Sequence, residues 1–299
     1  MSFPRRRLSE TLPTDRPAPT RVRWPDGYWT VKDGTRLHYV HAGEGPPVVL
    51  IHGARGSAIG SWFSNGIAPR LAQTNKVYAL EMRGHGLSEG ANNGHGNMAD
   101  DVLEFLDQMG IGKAHIGGYS MGGSITLQLL MRAPERFLTA CFQGAGAPET
   151  AEWRKKIPAD REGRDPDEDA ANAAAEARRA ARGEAVGNDF GHRMREGQGP
   201  WRGGETGRRA KAAMQEMIRR QEAQFAALDL PSITFPVMAI NGEFDRPRMR
   251  THRFWRELSN FTNVVLPGKG HLTAMMAGYI PDLYIDSYAG FIAANNPKS

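Results

Sequence analysis

Residues 118–122 read Gly-Tyr-Ser-Met-Gly, between a short apolar run, Ala114 to Gly117, and a helical pattern running from Ser120 to Arg132. A chain that turns so abruptly from strand to helix holds its middle residue in a strained conformation, and glycine at 118 and 122 leaves room for the backbone on either side. G-x-S-x-G arises by chance in glycine-rich chains, so its weight lies in this context. The turn presents the Ser120 hydroxyl on a tight elbow at a helix N-terminus, whose free N–H groups favour developing negative charge.

The surrounding sequence repeats the same strand-to-helix theme. Tyr28 to Lys32 and Leu37 to His41 read as a hairpin around Asp33-Gly34, and Pro47 to Ile51 is a continuous apolar run of the kind buried on both faces. Val77 to Glu81, Phe137 to Gln143, Pro236 to Ile240 and Asn263 to Leu266 are further predicted strands. Helices are predicted over Ser61 to Gln73, Met98 to Met109, Arg248 to Leu258 and Pro281 to Ala293, the last begun by proline in its first turn. Asp100 and Asp101 are read as opening the second of these, where carboxylates favour the helix dipole. Such alternation argues for a parallel sheet with helices on both faces, an α/β class.

From Glu149 to Asp229 the composition changes to 16 basic residues, 16 acidic residues and 17 alanines, with few β-branched positions. This stretch is read as an inserted helical lid rather than a charge-balanced linker. Trp153, Phe190, Met194, Trp201, Met214, Met217, Ile218 and Phe225 are its candidate anchors. The expected division is a basic Pro-rich tail over 1–27, a core over 28–148, a helical cap over 149–230 and the remaining core over 231–299.

Composition excludes several classes. The chain has 299 residues, 40% hydrophobic, with mean hydropathy −0.52, and no stretch nears the roughly 18 apolar residues of a membrane span. Pro4, Glu10, Pro13 and Asp15 interrupt any apolar core of an export signal, so a cytoplasmic location is expected. A single cysteine, Cys141, rules out an intramolecular disulfide and thiolate metal clusters. The net charge of +5 looks like a nucleic-acid signal until it is located: six arginines and two acids in residues 1–23 account for +4 of it. No nucleic-acid partner is expected. No dinucleotide or P-loop spacing is present, and a metal pair at Asp100 and Asp101 is disfavoured by their reading as helix-opening carboxylates.

A serine nucleophile needs a base, and the base needs an orienting carboxylate. Asp245 follows one predicted strand in Asn-Gly-Glu-Phe-Asp, and His271 follows the next in Pro-Gly-Lys-Gly-His, both just past strand C-termini, the edge where open α/β sheets bind ligands. Glu243 is the competing acid. An oxyanion needs fixed donors, and the backbone N–H groups of Met121 and Ala54 are candidates, the latter in His52-Gly-Ala-Arg-Gly56 after an apolar strand. His52 is read as holding that loop, and Arg83, His85 and Ser88 as a hydrogen-bonded turn. Gly53, Tyr119 and Trp62 are candidate substrate contacts, although Trp62 and Phe63 can equally be core. Met275, Met276 and Gly278 either line the pocket or pack beneath it.

With these residues in view the chain resembles α/β-hydrolase-fold proteins, in particular bacterial serine hydrolases with a helical cap. The likeness rests on His52-Gly53, Glu81-Met-Arg-Gly-His-Gly-Leu-Ser88, Gly118 to Gly123, Gly242-Glu-Phe-Asp245 and Gly270-His271, and spans roughly 28–147 and 231–295. It implies an eight-stranded, mostly parallel sheet, a cap inserted after strand six, and no cofactor. Glu81 departs from the aspartate common in that segment, and the cap matches no particular subfamily. Ser120 disfavours the Asp-nucleophile members, epoxide hydrolases and haloalkane dehalogenases. The reading is therefore a serine hydrolase that cleaves an ester of a small to medium, largely apolar substrate. Carbon–carbon or amide cleavage, perhydrolysis and a ligand receptor with little turnover are the alternatives. Oligomeric state is left open, a homodimer being one option.

Overall fold

A computed structural model describes residues 23–90, 95–160, 163, 165–181, 223, 225 and 227–298. The anchors proposed at Phe190, Met194, Trp201, Met214, Met217 and Ile218, and nearly all of the N-terminal tail, lie outside the described residues.

Eight strands form one sheet in the order β1-β2-β4-β3-β5-β6-β7-β8. They are β1 (Asp26–Thr30), β2 (Arg36–Ala42), β3 (Pro47–Ile51), β4 (Lys76–Glu81), β5 (Ala114–Tyr119), β6 (Phe137–Gln143), β7 (Val237–Gly242) and β8 (Phe261–Leu266). β1 and β2 form the antiparallel hairpin at one edge, β2 also runs antiparallel to β4, and every other pairing is parallel. The expected α/β-hydrolase fold is thus the observed one.

Continuous apolar strands are required here because both faces are covered, and successive side chains alternate between them. On β3, Val49 and Ile51 enter one core layer while Val48 and Leu50 enter the other. β6 divides in the same way, with Ala140 and Phe142 on one side and Cys141 on the other. The first layer is closed by α2 (His95–Gln108), α3 (Met121–Arg132) and α6 (Pro247–Glu257) through Val102, Phe105, Ile125, Leu129 and Phe254. The second is closed by α1 (Ile67–Leu71) and α7 (Asp282–Ala294) through Ile67, Tyr284 and Tyr288. Each fully buried aliphatic side chain contributes about 1.5–3 kcal/mol relative to an exposed one. Cys141 sits in this interior, its thiol pushed up to about 12 by burial, and is inert as a nucleophile at neutral pH.

Several sequence expectations are corrected. The helix expected over Ser61 to Gln73 is split into a π-helical turn, Ile59–Phe63, and α1, because Gly66 adopts φ +88° between them. Pro281 is the N-cap of α7, at φ −82° and ψ 151°, and not a residue of its first turn. Asp101 lies inside α2 and is buried against Arg83, whose Nε and Nη2 donate to its two carboxylate oxygens at 2.7 and 2.8 Å. Arg83 also reaches Asp33, so this pair ties the turn after β4 to α2. Between β6 and β7 the described residues form the short helix α4 (Ala151–Arg154) and the longer α5 (Glu168–Ala181).

Candidate active site

Strand order decides which loops meet. β3 lies beside β5, and β7 and β8 follow β6 across the sheet, so the parallel strand ends after Ile51, Tyr119, Gly242 and Leu266 share one edge. The chain carries Ser120 immediately past β5, Asp245 past β7 and His271 past β8.

Ser120 has φ 52° and ψ −108°, one of only three positive-φ non-glycine residues among those described. Such a conformation costs on the order of 1–3 kcal/mol and persists only where its surroundings enforce it. The enforcement is steric: a Cβ at 118 would overlap the Gly122 carbonyl, and one at 122 would overlap the Ile51 carbonyl. The Ser120 N–H donates to the Gln143 carbonyl of the neighbouring β6 end at 2.8 Å, which pins the elbow from the other side.

His271 Nε2 lies 3.0 Å from Ser120 Oγ, and its Nδ1 lies 2.7 Å from Asp245 Oδ2. A carboxylate accepts from Nδ1–H, which leaves Nε2 with the lone pair to accept the serine proton. Glu243 is turned elsewhere, accepting the Gly268 N–H at 2.8 Å, so Asp245 is the acid that contacts the ring. Tyr119 stacks on His271, centroids 5.1 Å apart, and its hydroxyl donates to the His271 carbonyl at 2.8 Å. Burial first, then the nearby Asp245 and Glu168 carboxylates, hold that phenol well above its ordinary pKa, so it stays a neutral donor.

The candidate donors lie alongside. The loop after β3 passes close to the elbow: a Cβ on Gly53 would stand 2.7 Å from Tyr119 Cδ1 and 3.4 Å from Ser120 Cβ. Ala54 follows in the same loop, and Met121 opens α3, whose first N–H groups have no intrahelical acceptor. His52 braces the loop as expected: its Nδ1 donates to the Gly53 carbonyl at 2.7 Å and its Nε2 accepts the Met82 N–H at 3.0 Å. Burial lowers this imidazole to about 4, so it is neutral. Glu81 anchors the far end by accepting the Ala58 N–H at 2.9 Å and facing His38 Nδ1 at 3.0 Å. Burial pushes the Glu81 carboxyl up, but these hydrogen bonds and that from Leu87 N–H outweigh it and hold it low.

A cleft of about 150 Å3 opens at this edge, a volume of the size that accepts a benzene-sized molecule. Gly53, Ala54, Tyr119 and Leu272 line it, the immediate neighbours of Ser120 and His271. Met275 and Met276 line it as well, whereas Gly278 does not. Trp62 is fully buried in the second core layer and is not among the residues lining the cleft, the core alternative of the two that the sequence left open.

Three contributors had no sequence signal. Arg250 Nη2 holds Asp245 Oδ1 at 2.9 Å while its Nε donates to the Asp245 carbonyl at 2.8 Å. Asp165 and Glu168, from the segment between β6 and β7, grip the histidine loop: Asp165 accepts the Gly270 N–H at 2.9 Å and the Thr273 hydroxyl, and Glu168 accepts the Leu272 N–H at 3.1 Å. All three sit in charge-rich, low-contrast sequence, where nothing separates a buried acid from a solvated one.

Among the described residues no three His, Cys, Asp or Glu side chains are grouped as metal ligands, and no helix is long and apolar enough to cross a membrane. Comparison with known proteins matches residues 46–273 to a family described as the alpha/beta hydrolase fold. The dihydrolipoyllysine-residue acetyltransferase component of the acetoin cleaving system of Cupriavidus necator is 41% identical over 113 residues, 37% of this chain and 29% of that protein. The bifunctional epoxide hydrolase 2 of Sus scrofa is 35% identical over 116 residues, 37% of this chain and 20% of that protein. The chain thus covers less than a third of the length of either relative. Among solved structures, an esterase from Thermogutta terrifontis superposes with a TM-score of 0.59 at 21% identity, covering 91% of this chain and all of that one, a likeness of fold.

Proposed function

The chain belongs to the alpha/beta hydrolase fold family, and from that premise we propose that it is a serine hydrolase cleaving a carboxylic ester of a small to medium substrate through an acyl-enzyme on Ser120. The observation that carries the reading is the unbroken hydrogen-bonded row from Asp245 through His271 to Ser120, with the serine on a strained elbow. An epoxide-opening reaction through an aspartyl ester needs a carboxylate at the elbow, where this chain has a hydroxyl.

Ser120 Oγ attacks the ester carbonyl carbon as its proton passes to His271 Nε2. Asp245 keeps the ring oriented and stabilises the imidazolium that forms. The tetrahedral oxyanion is received by the Met121 and Ala54 N–H groups, each such donor being worth about 10²–10³ in rate. The imidazolium then returns the proton to the departing alcohol oxygen. In the second half, His271 takes a proton from water, the hydroxide equivalent attacks the acyl carbon, and the proton goes back to Ser120 Oγ as the acid leaves. The mechanism needs no cofactor. Asp165 and Glu168 of the inserted segment grip the histidine loop, which supports a cap role for that segment. Cap changes should therefore alter substrate range and the placing of His271.

Hydrolysis of a p-nitrophenyl acyl series by the wild-type protein and by Ser120→Ala, with the variant's fold verified by circular dichroism, tests the reading. Serine-dependent turnover with an optimum among short acyl chains is expected. Undiminished turnover by the folded variant would overturn it.

A further inference from the structure

We propose that the cleft beside Ser120 selects an acyl group that carries its own carboxylate at the end remote from the scissile ester, and that Arg55 and Arg178 receive that carboxylate. The inference rests on the serine-hydrolase reading above and narrows its substrate to monoesters of short dicarboxylic acids.

Arg55 belongs to the loop after β3, one residue beyond the candidate donor Ala54, whereas Arg178 comes from α5, far away in sequence. The fold brings both to the lining of one cleft, whose lining among the described residues contains no aspartate or glutamate. Neither arginine has an ion-pair or hydrogen-bond partner among the described residues. The buried and half-buried arginines Arg83, Arg250, Arg253 and Arg256 are matched, with Asp101, Asp245, Glu257 and Glu149, whereas the two cleft arginines are exposed and unpaired among the described residues. Guanidinium groups from two separate elements, lining one cleft together with Gly53 and Tyr119 beside the reacting serine, can receive a planar anion.

The rest of the lining fits the same ligand. Arg55 holds φ 62°, a left-handed conformation uncommon for a residue with a Cβ, which fixes where its side chain departs from the loop. Ser57 Oγ accepts the Gly60 N–H at 3.1 Å and so keeps its own proton to donate. Tyr119, Leu272, Met275 and Met276 offer apolar surface for a methylene chain between the two ends. With about 150 Å3 available, that chain is short, as in a succinyl or glutaryl group.

The test compares monomethyl glutarate with methyl 5-methylhexanoate, near-isosteric esters that differ in the terminal charge, by pH-stat titration of the full chain. The ratio of their kcat/KM values is expected to favour the glutarate ester at least about tenfold at low salt and to shrink as ionic strength rises. Arg178→Gln and Arg55→Gln should each reduce that ratio about tenfold, as loss of one charge-assisted contact predicts. A wild-type ratio at or below one, or a ratio indifferent to both substitutions, overturns the proposal. If neither ester is turned over in a Ser120-dependent way, the hydrolase reading is what fails. Calorimetric titration of glutarate into the wild-type protein then decides the anion site: binding weakened about tenfold by Arg178→Gln supports it, and no binding overturns it.

Discussion

Asp165, in the segment between β6 and β7, accepts a hydrogen bond from the backbone N–H of Gly270, the residue before His271. Its carboxylate also takes the Thr273 hydroxyl, so one acid fixes both sides of the histidine. Burial pushes this carboxyl up, but the bonds from Thr273, Asp167 N–H and Gly270 N–H outweigh it and hold the group below the usual aspartate range. Asp165→Ala should lower kcat on a short-chain ester by about tenfold, since a displacement of about 1 Å in the base can cost that much or more. Steady-state kinetics checks it, at a temperature where circular dichroism reports the native fold. An unchanged kcat would mean that the loop places His271 without this contact.

Arg250 contacts Asp245 through both a side-chain oxygen and the carbonyl. Arg250→Ala should free the carboxylate to rotate off His271 Nδ1 and reduce kcat/KM by about ten- to a hundredfold. Arg250→Lys, which restores charge without the two-point geometry, should recover only part of that loss. Full recovery by lysine would reduce the role to charge alone.

Gly122→Ala should be among the most destabilising single-atom additions in the chain. The new Cβ would overlap the Ile51 carbonyl and stand 2.9 Å from the His52 carbonyl, both on backbone that cannot move without dragging β3. Overpacking of this kind costs typically about 1–3 kcal/mol, and urea denaturation should place the variant at or beyond the upper end. Ser120-dependent activity should fall with it, because the same contact enforces the elbow.

His115 predicts an acid limb of stability. It is fully buried, with Nδ1 at 2.9 Å from Thr139 Oγ1 and Nε2 at 3.0 Å from Asn296 Oδ1, and burial lowers it to about 4 against 6.5 in the unfolded chain. As pH falls below 6.5 the unfolded state takes up the proton first, so stability from this group is full above 6.5 and is lost progressively towards pH 4. Linkage gives a loss of about 2 kcal/mol between about pH 7 and about pH 5 for one such group. Urea midpoints at the two pH values should therefore converge in His115→Gln relative to wild type. Equal pH slopes in the two proteins would contradict the assignment of the limb to this ring.

Much of the fold was legible because burial on both faces leaves a strong local mark. The apolar runs of β3, β6 and β7 are continuous in the sequence, and the strand-to-helix turn at Ser120 announces itself through glycines whose Cβ atoms would overlap backbone. What misled was packing of the second kind, in which a side chain's fate depends on a partner distant in sequence. From its place after the loop of His52, Trp62 reads equally as a pocket or a core residue, and only the π-helical turn decides for the core. Asp101 reads as a helix-opening carboxylate, yet α2 starts earlier and Arg83 claims it.

The amino-acid order alone dictated which residues stand at strand ends and which class of sheet can hold them, because hydrophobic periodicity and glycine sterics act over a few neighbouring positions. Which acid meets His271, and which charges from the segment between β6 and β7 reach the histidine loop and the cleft, came from the strand order and the packing of α5. Glu243 and Asp245 are two residues apart and chemically alike, but only the second lies 2.7 Å from the ring. Electrostatic and hydrogen-bonding partnerships of that kind depend on distances in space, and a charge-rich sequence carries no record of them until the sheet has set those distances.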